Sequence, residues 1–198
     1  MNYVIRFIVL LGFVLTLPII TISIIAIWLE DGSPTIFFQK RLGINKNEFI
    51  LYKIRTMKIN TPSAGTHEIR TSHHLKIGSL LRKLKIDELP QLINYFKGDI
   101  KLVGPRPGLS NQHELTEHRE KYEIYSISPG ITGLAQILGY DMSQPKLLAT
   151  IDNLYLKNKS LKLDMQILLA TFFNYFKNRI ANYYDSDITK LKESIDNY

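Results

Sequence analysis

The chain of 198 residues contains no cysteine, which excludes a disulfide scaffold, a cysteine-ligated metal site and an iron-sulfur cluster. It also lacks a Walker loop, an HExxH helix and a GxSxG elbow, so P-loop NTPases, zincin proteases and α/β-hydrolases have no support. Its five histidines, at 67, 73, 74, 113 and 118, include no i, i+4 pair and read as residues of polar surfaces. No internal repeat is present. The most informative absence is local: from Phe7 to Leu29 there is no charged side chain. That stretch of 23 residues is long enough to cross a hydrocarbon core of about 30 Å as a helix. A cleaved signal peptide fits poorly, because only Arg6 precedes the run and Glu30-Asp31-Gly32-Ser33-Pro34 offers no small-x-small cleavage pattern.

Pro18 interrupts the apolar run in its middle. A proline inside a helix removes one N–H donor and presses its ring against a carbonyl one turn back, which predicts a break. Each half would then be about 17 Å long, too short to cross alone. Two topologies follow, a kinked span with Thr16 satisfying a freed backbone group, or a re-entrant hairpin that enters and leaves by one face.

The remainder has ordinary soluble composition, with 45% hydrophobic and 22% charged residues over the whole chain. Its charge is uneven. Residues 40 to 106 hold 14 of the 25 Lys and Arg against five acids, so an anionic partner is expected there, and the basic stretch places this part on the cytoplasmic side.

Residues 35–42 and 49–57 are rich in β-branched and aromatic side chains around the turn residues 43–47, which predicts a β-hairpin with Lys53 and Arg55 on one face. Residues 60–72 read as a polar loop. Leu75 to Leu84 is a short basic amphipathic helix, suited either to an anionic lipid surface or to a core with its basic side solvated. A helix opens at Asp87-Glu88-Leu89-Pro90 and stops at Gly98. A short strand at 100–103 leads into Gly104-Pro105-Arg106-Pro107-Gly108, and 128–133 reads as a loop. Further helices are expected from Ser110 to about Glu123, from Ser143 onward, and from about Leu161 to Ile180. Residues 181–198 read as a loosely ordered polar tail.

The chemistry concentrates in the basic middle third. Asp87 and Glu88 stand at an expected helix start, and Lys53, Arg55, Arg82 and Arg106 can bind phosphate, Arg106 with its backbone held between two prolines. Two carboxylates among several cations suit a magnesium ion bridging carboxylate and phosphate oxygens. A carboxylate can also attack phosphorus itself, giving an acyl phosphate, provided cations offset the charge repulsion. The same basic band could meet nucleic acid, but no nucleic-acid motif is present and the apolar segment argues for lipid instead.

Several motifs together resemble the bacterial sugar transferases, in the minimal form known as monotopic phosphoglycosyl transferases. In order, they are the apolar segment with Pro18; Gly32-Ser33-Pro34 followed by residues 37–43; Lys53-Ile54-Arg55-Thr56-Met57; Leu81-Arg82-Lys83; and Asp87-Glu88-Leu89-Pro90-Gln91-Leu92. Then come Gly98-Asp99, Val103-Gly104-Pro105-Arg106-Pro107, residues 129–136, and the spaced Asp152, Tyr155, Ser160 and Asp164.

The resemblance implies transfer of a sugar 1-phosphate from a UDP-sugar to undecaprenyl phosphate, releasing UMP and initiating a surface glycan. By the family's motif Asp87 is the nucleophile, Glu88 a magnesium ligand alongside Asp87, and Lys53, Arg82 and Arg106 lie near the phosphates. Arg55, Gln136 and Tyr140 are further candidates, the last two for the nucleotide or sugar pocket. The expected architecture is α+β and mainly helical. It comprises a re-entrant membrane helix hairpin broken at Pro18 (1–30), a cytoplasmic catalytic domain (31–180) with a small β-hairpin and amphipathic interfacial helices, and the polar tail (181–198). The expected place is the cytoplasmic face of the bacterial inner membrane, with membrane lipids and no nucleic acid as partners. This sequence departs from the family pattern at Leu17, Leu75, Ser128 and Leu138-Gly139-Tyr140. The departures near Tyr140 leave open a second reading, a membrane-anchored scaffold in glycan assembly that has lost activity.

Overall fold

A computed structural model describes residues 3–59, 61 and 73–196. The chain is mainly helical and forms two compact units. One takes in the described residues up to Lys40 and from Ile50 to Gly98; the other takes in Arg41–Phe49 and the described residues from Asp99 onward. Most of the expected 60–72 loop, and His67 within it, lie outside the described residues.

The first unit begins with α1 (Tyr3–Asp31), which runs through Pro18 as one helix. The break expected at Pro18 is therefore corrected. Hydroxyls on both sides of the proline bond back to the helix: Thr16 donates to the Phe13 carbonyl, Thr21 to that of Leu17 and Ser23 to that of Ile19. Docking supplies the rest. Arg6, Val9, Phe13, Thr16, Ile20, Ser23 and Ile27, all covered and spaced alternately three and four apart, form one continuous stripe that faces the unit along the helix, widened near its end by Ile24 and Ala26. Around that stripe lie Leu10, Leu11, Val14, Leu15, Ile22, Ile25 and Trp28, all exposed.

The strands β1 (Ile36–Leu42) and β2 (Glu48–Ile54) pair in a two-stranded sheet across a short turn at 44–46, where Asn45 and Lys46 adopt positive φ. Next come α2 (Lys76–Lys83), a 3₁₀ turn at 86–88 and α3 (Gln91–Lys97), which Gly98 ends in the left-handed conformation with φ 88°. The core of this unit gathers Ile20 and Ile27 from α1 with Ile54, Leu75 and Leu81. Asn94, fully buried on α3, binds the β2 backbone at both ends of its amide: it donates to Ile50 O (2.6 Å) and accepts from Tyr52 N (3.1 Å).

The second unit contains β3 (Lys101–Val103), α4 (His113–Lys121), β4 (Gly130–Thr132), α5 (Leu134–Leu138), α6 (Pro145–Asn158), α7 (Leu161–Phe172) and α8 (Asn174–Asp196). The expected 128–133 loop is partly a strand: β4 runs parallel to β3, with Lys101 opposite Gly130 and Val103 opposite Thr132. Glycine is required there, because a Cβ at Gly130 would fall on the backbone nitrogen of Gly104.

Two further expectations are corrected. The helix expected from Leu161 to Ile180 is two helices parted at Phe173, and the segment expected as a loose tail from residue 181 continues α8 to Asp196. Ile180, Tyr184 and Ile188 recur at helical spacing and are buried in the same core as Leu148, Ile151 and Ile167. Three or four apolar residues per two turns thus outweigh the polar composition that made this segment look like a tail.

The spaced residues of the family motif serve this unit's framework. Arg119 on α4 donates from Nε (2.9 Å) and a terminal nitrogen (2.6 Å) to the same Oδ2 of Asp152 on α6, and both side chains are buried. Tyr155 donates to Asp164 Oδ1 at 2.8 Å, and burial followed by the Asp164 carboxylate pushes the phenol well above its ordinary pKa. Ser160 caps α7, its hydroxyl accepting from Leu163 N.

Removing one member of a buried ion pair leaves the other charge without compensation. Asp152→Ala is expected to lower stability by about 3–5 kcal/mol in chemical denaturation of the detergent-solubilised protein.

Candidate active site

In the first unit the chain reverses between α2 and α3 through Lys85, which takes the left-handed conformation with φ 57°. That reversal sets Asp87 and Glu88 on the 3₁₀ turn ahead of α3, one turn earlier than the expected first helical turn. Asp87 is buried at 7% exposure, and Glu88 is partly covered. Lys53, on β2, reaches Glu88: its Nζ lies 2.9 Å from Glu88 Oε1, with only 15% and 17% of the two side chains exposed. A partly desolvated pair of this kind is screened far less than a surface pair.

Arg82 stands on the last turn of α2, one residue after the core residue Leu81. Its Nε donates to Thr56 Oγ1 at 2.6 Å, and one terminal nitrogen lies 3.4 Å from His74 Nε2. Burial, and then the nearby Arg82 cation, hold the His74 pKa below the ordinary histidine value. The expectation that all the histidines sit on polar surfaces is corrected for this residue. No spacing rule exposed it, because its partner lies on an adjoining helix eight positions later.

Arg55 is engaged at the end of α1. It is 6% exposed and pairs with the Asp31 carboxylate, while another of its nitrogens donates to the carbonyls of Asp31 (3.2 Å) and Gly32 (2.7 Å). The residue before Asp31 acts in parallel. Glu30 accepts from Lys76 N (2.6 Å) and Ile77 N (3.0 Å), capping α2 with a side chain from another helix, where Leu75 has no capping group of its own. Asp31 Oδ2 also accepts from Ile59 N at 3.1 Å. Thr56, His74, Glu30 and Asp31 are the residues of this region that sequence reasoning missed.

Three other candidates belong to the second unit. Arg106 is half-buried between the buried Pro105 and Pro107. The chain around it is pinned from several sides: Gly104 N donates to Thr132 O, Gly130 N to Pro105 O, Leu42 N to Gly108 O, and buried Arg41 to Pro107 O at 3.0 Å. Gln136 donates to Ile131 O at 3.3 Å, and its Oε1 is buried without a hydrogen bond. Tyr140 packs on the second core with Lys192 Nζ 5.3 Å from the ring centroid. Among the described residues no group of three or more His, Asp or Glu comes together as a metal cluster.

A recessed carboxylate beside an acid–lysine pair, with an arginine oriented by side-chain bonds and a long apolar helix in the same unit, suits phosphate chemistry at a lipid surface. Residues 3–178 match the family described as bacterial sugar transferase, and the chain belongs to that family. It is a sugar transferase by family. The chain is 42% identical over 159 residues to the uncharacterized sugar transferase EpsL of Bacillus subtilis, covering 79% of this chain and 77% of that protein. It is 34% identical over 164 residues to a protein of Aeromonas hydrophila named UDP-N-acetylgalactosamine-undecaprenyl-phosphate N-acetylgalactosaminephosphotransferase, covering 78% of this chain and 38% of that one. A UDP-glucose:undecaprenyl-phosphate glucose-1-phosphate transferase of Caulobacter vibrioides is 34% identical over 165 residues, with 78% and 61% covered. The chain thus spans less than two thirds of the length of the latter two relatives.

The Arg55 cluster yields a direct test. Asp31→Asn removes the anion facing a buried guanidinium and is expected to cost about 2 kcal/mol, read as a lower melting temperature and as protease sensitivity near the end of α1.

Proposed function

We propose that the protein transfers a sugar 1-phosphate from a UDP-sugar to undecaprenyl phosphate, releases UMP, and so begins assembly of a surface glycan. The observation that carries this reading is the Asp87-Glu88 pair on its tight turn, with Glu88 held by Lys53 inside the family match. The names of the Aeromonas and Caulobacter relatives supply the donor and acceptor classes.

The chemistry follows from the carboxylate. An Asp87 oxygen attacks the sugar-bearing phosphorus, the bond from that phosphorus to the bridging oxygen breaks, and UMP departs with the electron pair. The enzyme then holds a phosphosugar as an acyl phosphate on Asp87. A phosphate oxygen of undecaprenyl phosphate attacks the same phosphorus, the Asp87 carboxylate leaves, and the lipid carries a sugar diphosphate away. Lys53 and Arg82 offset negative charge as the carboxylate approaches the phosphate. The donor set fits magnesium, since Asp87 and Glu88 offer only oxygen and this ion is commonly bound through one or two carboxylates plus substrate phosphates. When bound, the ion would neutralise phosphate charge.

A one-sided membrane placement, with the catalytic residues at the cytoplasmic face of the inner membrane, is part of the proposal. A helix of 29 residues is about 43 Å long. Near one end Arg6 donates to the Phe96 carbonyl and Phe13 packs against the Phe96 ring; at the other Glu30 and Asp31 bind α2 and Arg55. A helix crossing the bilayer on its own would leave one end far from the rest of its unit. Contact at both ends supports a helix laid along the unit, with its exposed apolar face in one leaflet.

With purified protein, undecaprenyl phosphate, magnesium and a panel of UDP-sugars, one sugar is expected to give UMP. Asp87→Asn should abolish that release and Glu88→Gln should lower it by about 10²-fold or more, with membrane association retained. Normal UMP formation by folded Asp87→Asn protein would refute the mechanism. For the topology, a thiol introduced by Asn2→Cys should resist a membrane-impermeant maleimide in intact cells and react after lysis; the native chain has no competing thiol.

A further inference from the structure

Arg82 is held by two side chains that the proposed chemistry does not itself use, Thr56 and His74. A guanidinium has donors and no acceptor. Both contacts are therefore donated by Arg82, and His74 Nε2 receives its bond through a lone pair. The imidazole in that arrangement is neutral and carries its proton on Nδ1. A protonated ring would lose the bond and set a second cation 3.4 Å from the first.

The backbone fixes both partners. Leu75 N donates to Thr56 O at 3.1 Å, and α2 rests so closely on Thr56 that a Cβ on Gly78 would fall on its carbonyl oxygen. Arg82 follows Gly78 by four residues, on the same helical face. His74 is tied to Met57 by a β-bridge, and the neighbouring His73 carbonyl receives Lys58 N at 2.9 Å. Thr56 is 4% exposed. The guanidinium thus sits between two acceptors whose own positions are set by main-chain bonds.

We infer that Thr56 and His74 are positioning residues, orienting the Arg82 guanidinium for the donor's phosphates, and that His74 fulfils this role only as the neutral imidazole. The inference rests on the proposed transferase reading and adds to it a site-specific acid sensitivity. Among the described residues, the charged and titratable groups bearing on His74 are Arg82 from α2 and its chain neighbour His73; both oppose protonation, as does burial. The neutral form is accordingly the one present at pH 7, and protonation belongs below the ordinary histidine range near 6.5.

The test is steady-state UMP formation against pH, on variants that match the parent protein in melting temperature. At pH 8, Thr56→Val and His74→Leu are each expected to lower kcat/KM for the donor by about tenfold, the scale of one hydrogen bond to a charged group. Thr56→Ser and His74→Gln, which restore an acceptor, should recover most of that loss. The parent protein is expected to lose activity on the acid side of the ordinary histidine range, and His74→Gln should lack that decline, because an amide does not titrate there. Wild-type rates in Thr56→Val and His74→Leu beside a silent Asp87→Asn would overturn this inference alone. So would an acid decline in His74→Gln identical to that of the parent. Turnover by Asp87→Asn would instead overturn the transferase mechanism on which the inference rests.

Discussion

A guanidinium taken out of water has to find its partners within the protein, and Arg55 finds them at the last residues of an apolar helix. The first unit depends on that arrangement. Asp31 holds Arg55 and the Ile59 amide, while Glu30 closes the open end of α2, so two consecutive carboxylates join the helix to both segments that flank the acid pair. Lys53 lies two residues before Arg55, Arg82 lies at the end of α2, and Asp87 follows within a few residues. The geometry of the charged residues is therefore anchored where the apolar helix ends in two carboxylates.

The stripe along α1 shows how such a helix serves two environments at once. Its covered positions follow a three-four rhythm and carry Arg6, Thr16 and Ser23 among apolar residues, whereas its exposed positions are almost wholly hydrocarbon. In a water-soluble helix the polar side faces out; here the order is inverted, as expected where lipid is the outer solvent. Pro18 is exposed, off the packed stripe, so the ring does not interfere with the packed face.

Much of this was legible in the sequence. The apolar run, the paired strands around residues 43–47 and the stop at Gly98 follow from composition, turn chemistry and spacing, and the ordered motifs resemble those of the family that the chain belongs to. What escaped notice was decided by tertiary contact. Pro18 argued for a break, yet α1 packs along one face on both sides of the proline and runs through it whole. Residues from 181 onward argued for a tail, because the buried Tyr184 and Ile188 are sparse in a window dominated by polar residues. Glu30 caps a helix 46 residues away, and His74 meets Arg82 across a turn, so neither relation leaves a local trace. The bonds of Arg55 to Asp31 and Gly32 leave no local trace either: cations in a basic band are alike in sequence and differ only in what the fold puts beside them.

The second unit is assembled from two separate pieces of chain, Arg41–Phe49 and the stretch from Asp99 onward, with residues 50–98 as an excursion into the first unit. Closing such an excursion costs entropy that grows only logarithmically, about 0.6 kcal/mol for each doubling of length, so its size is weakly constrained. Its connectivity is constrained far more. No single cut in the gene yields either unit whole. A fragment beginning at Asp99 would lack Arg41 and Leu42, which bind the backbone around Arg106. A fragment of residues 50–98 would lack the carboxylates that meet Arg55 and the first turn of α2. Recombination between relatives that preserves packing must therefore cross on both sides of this excursion and carry the residues before Lys40 with it.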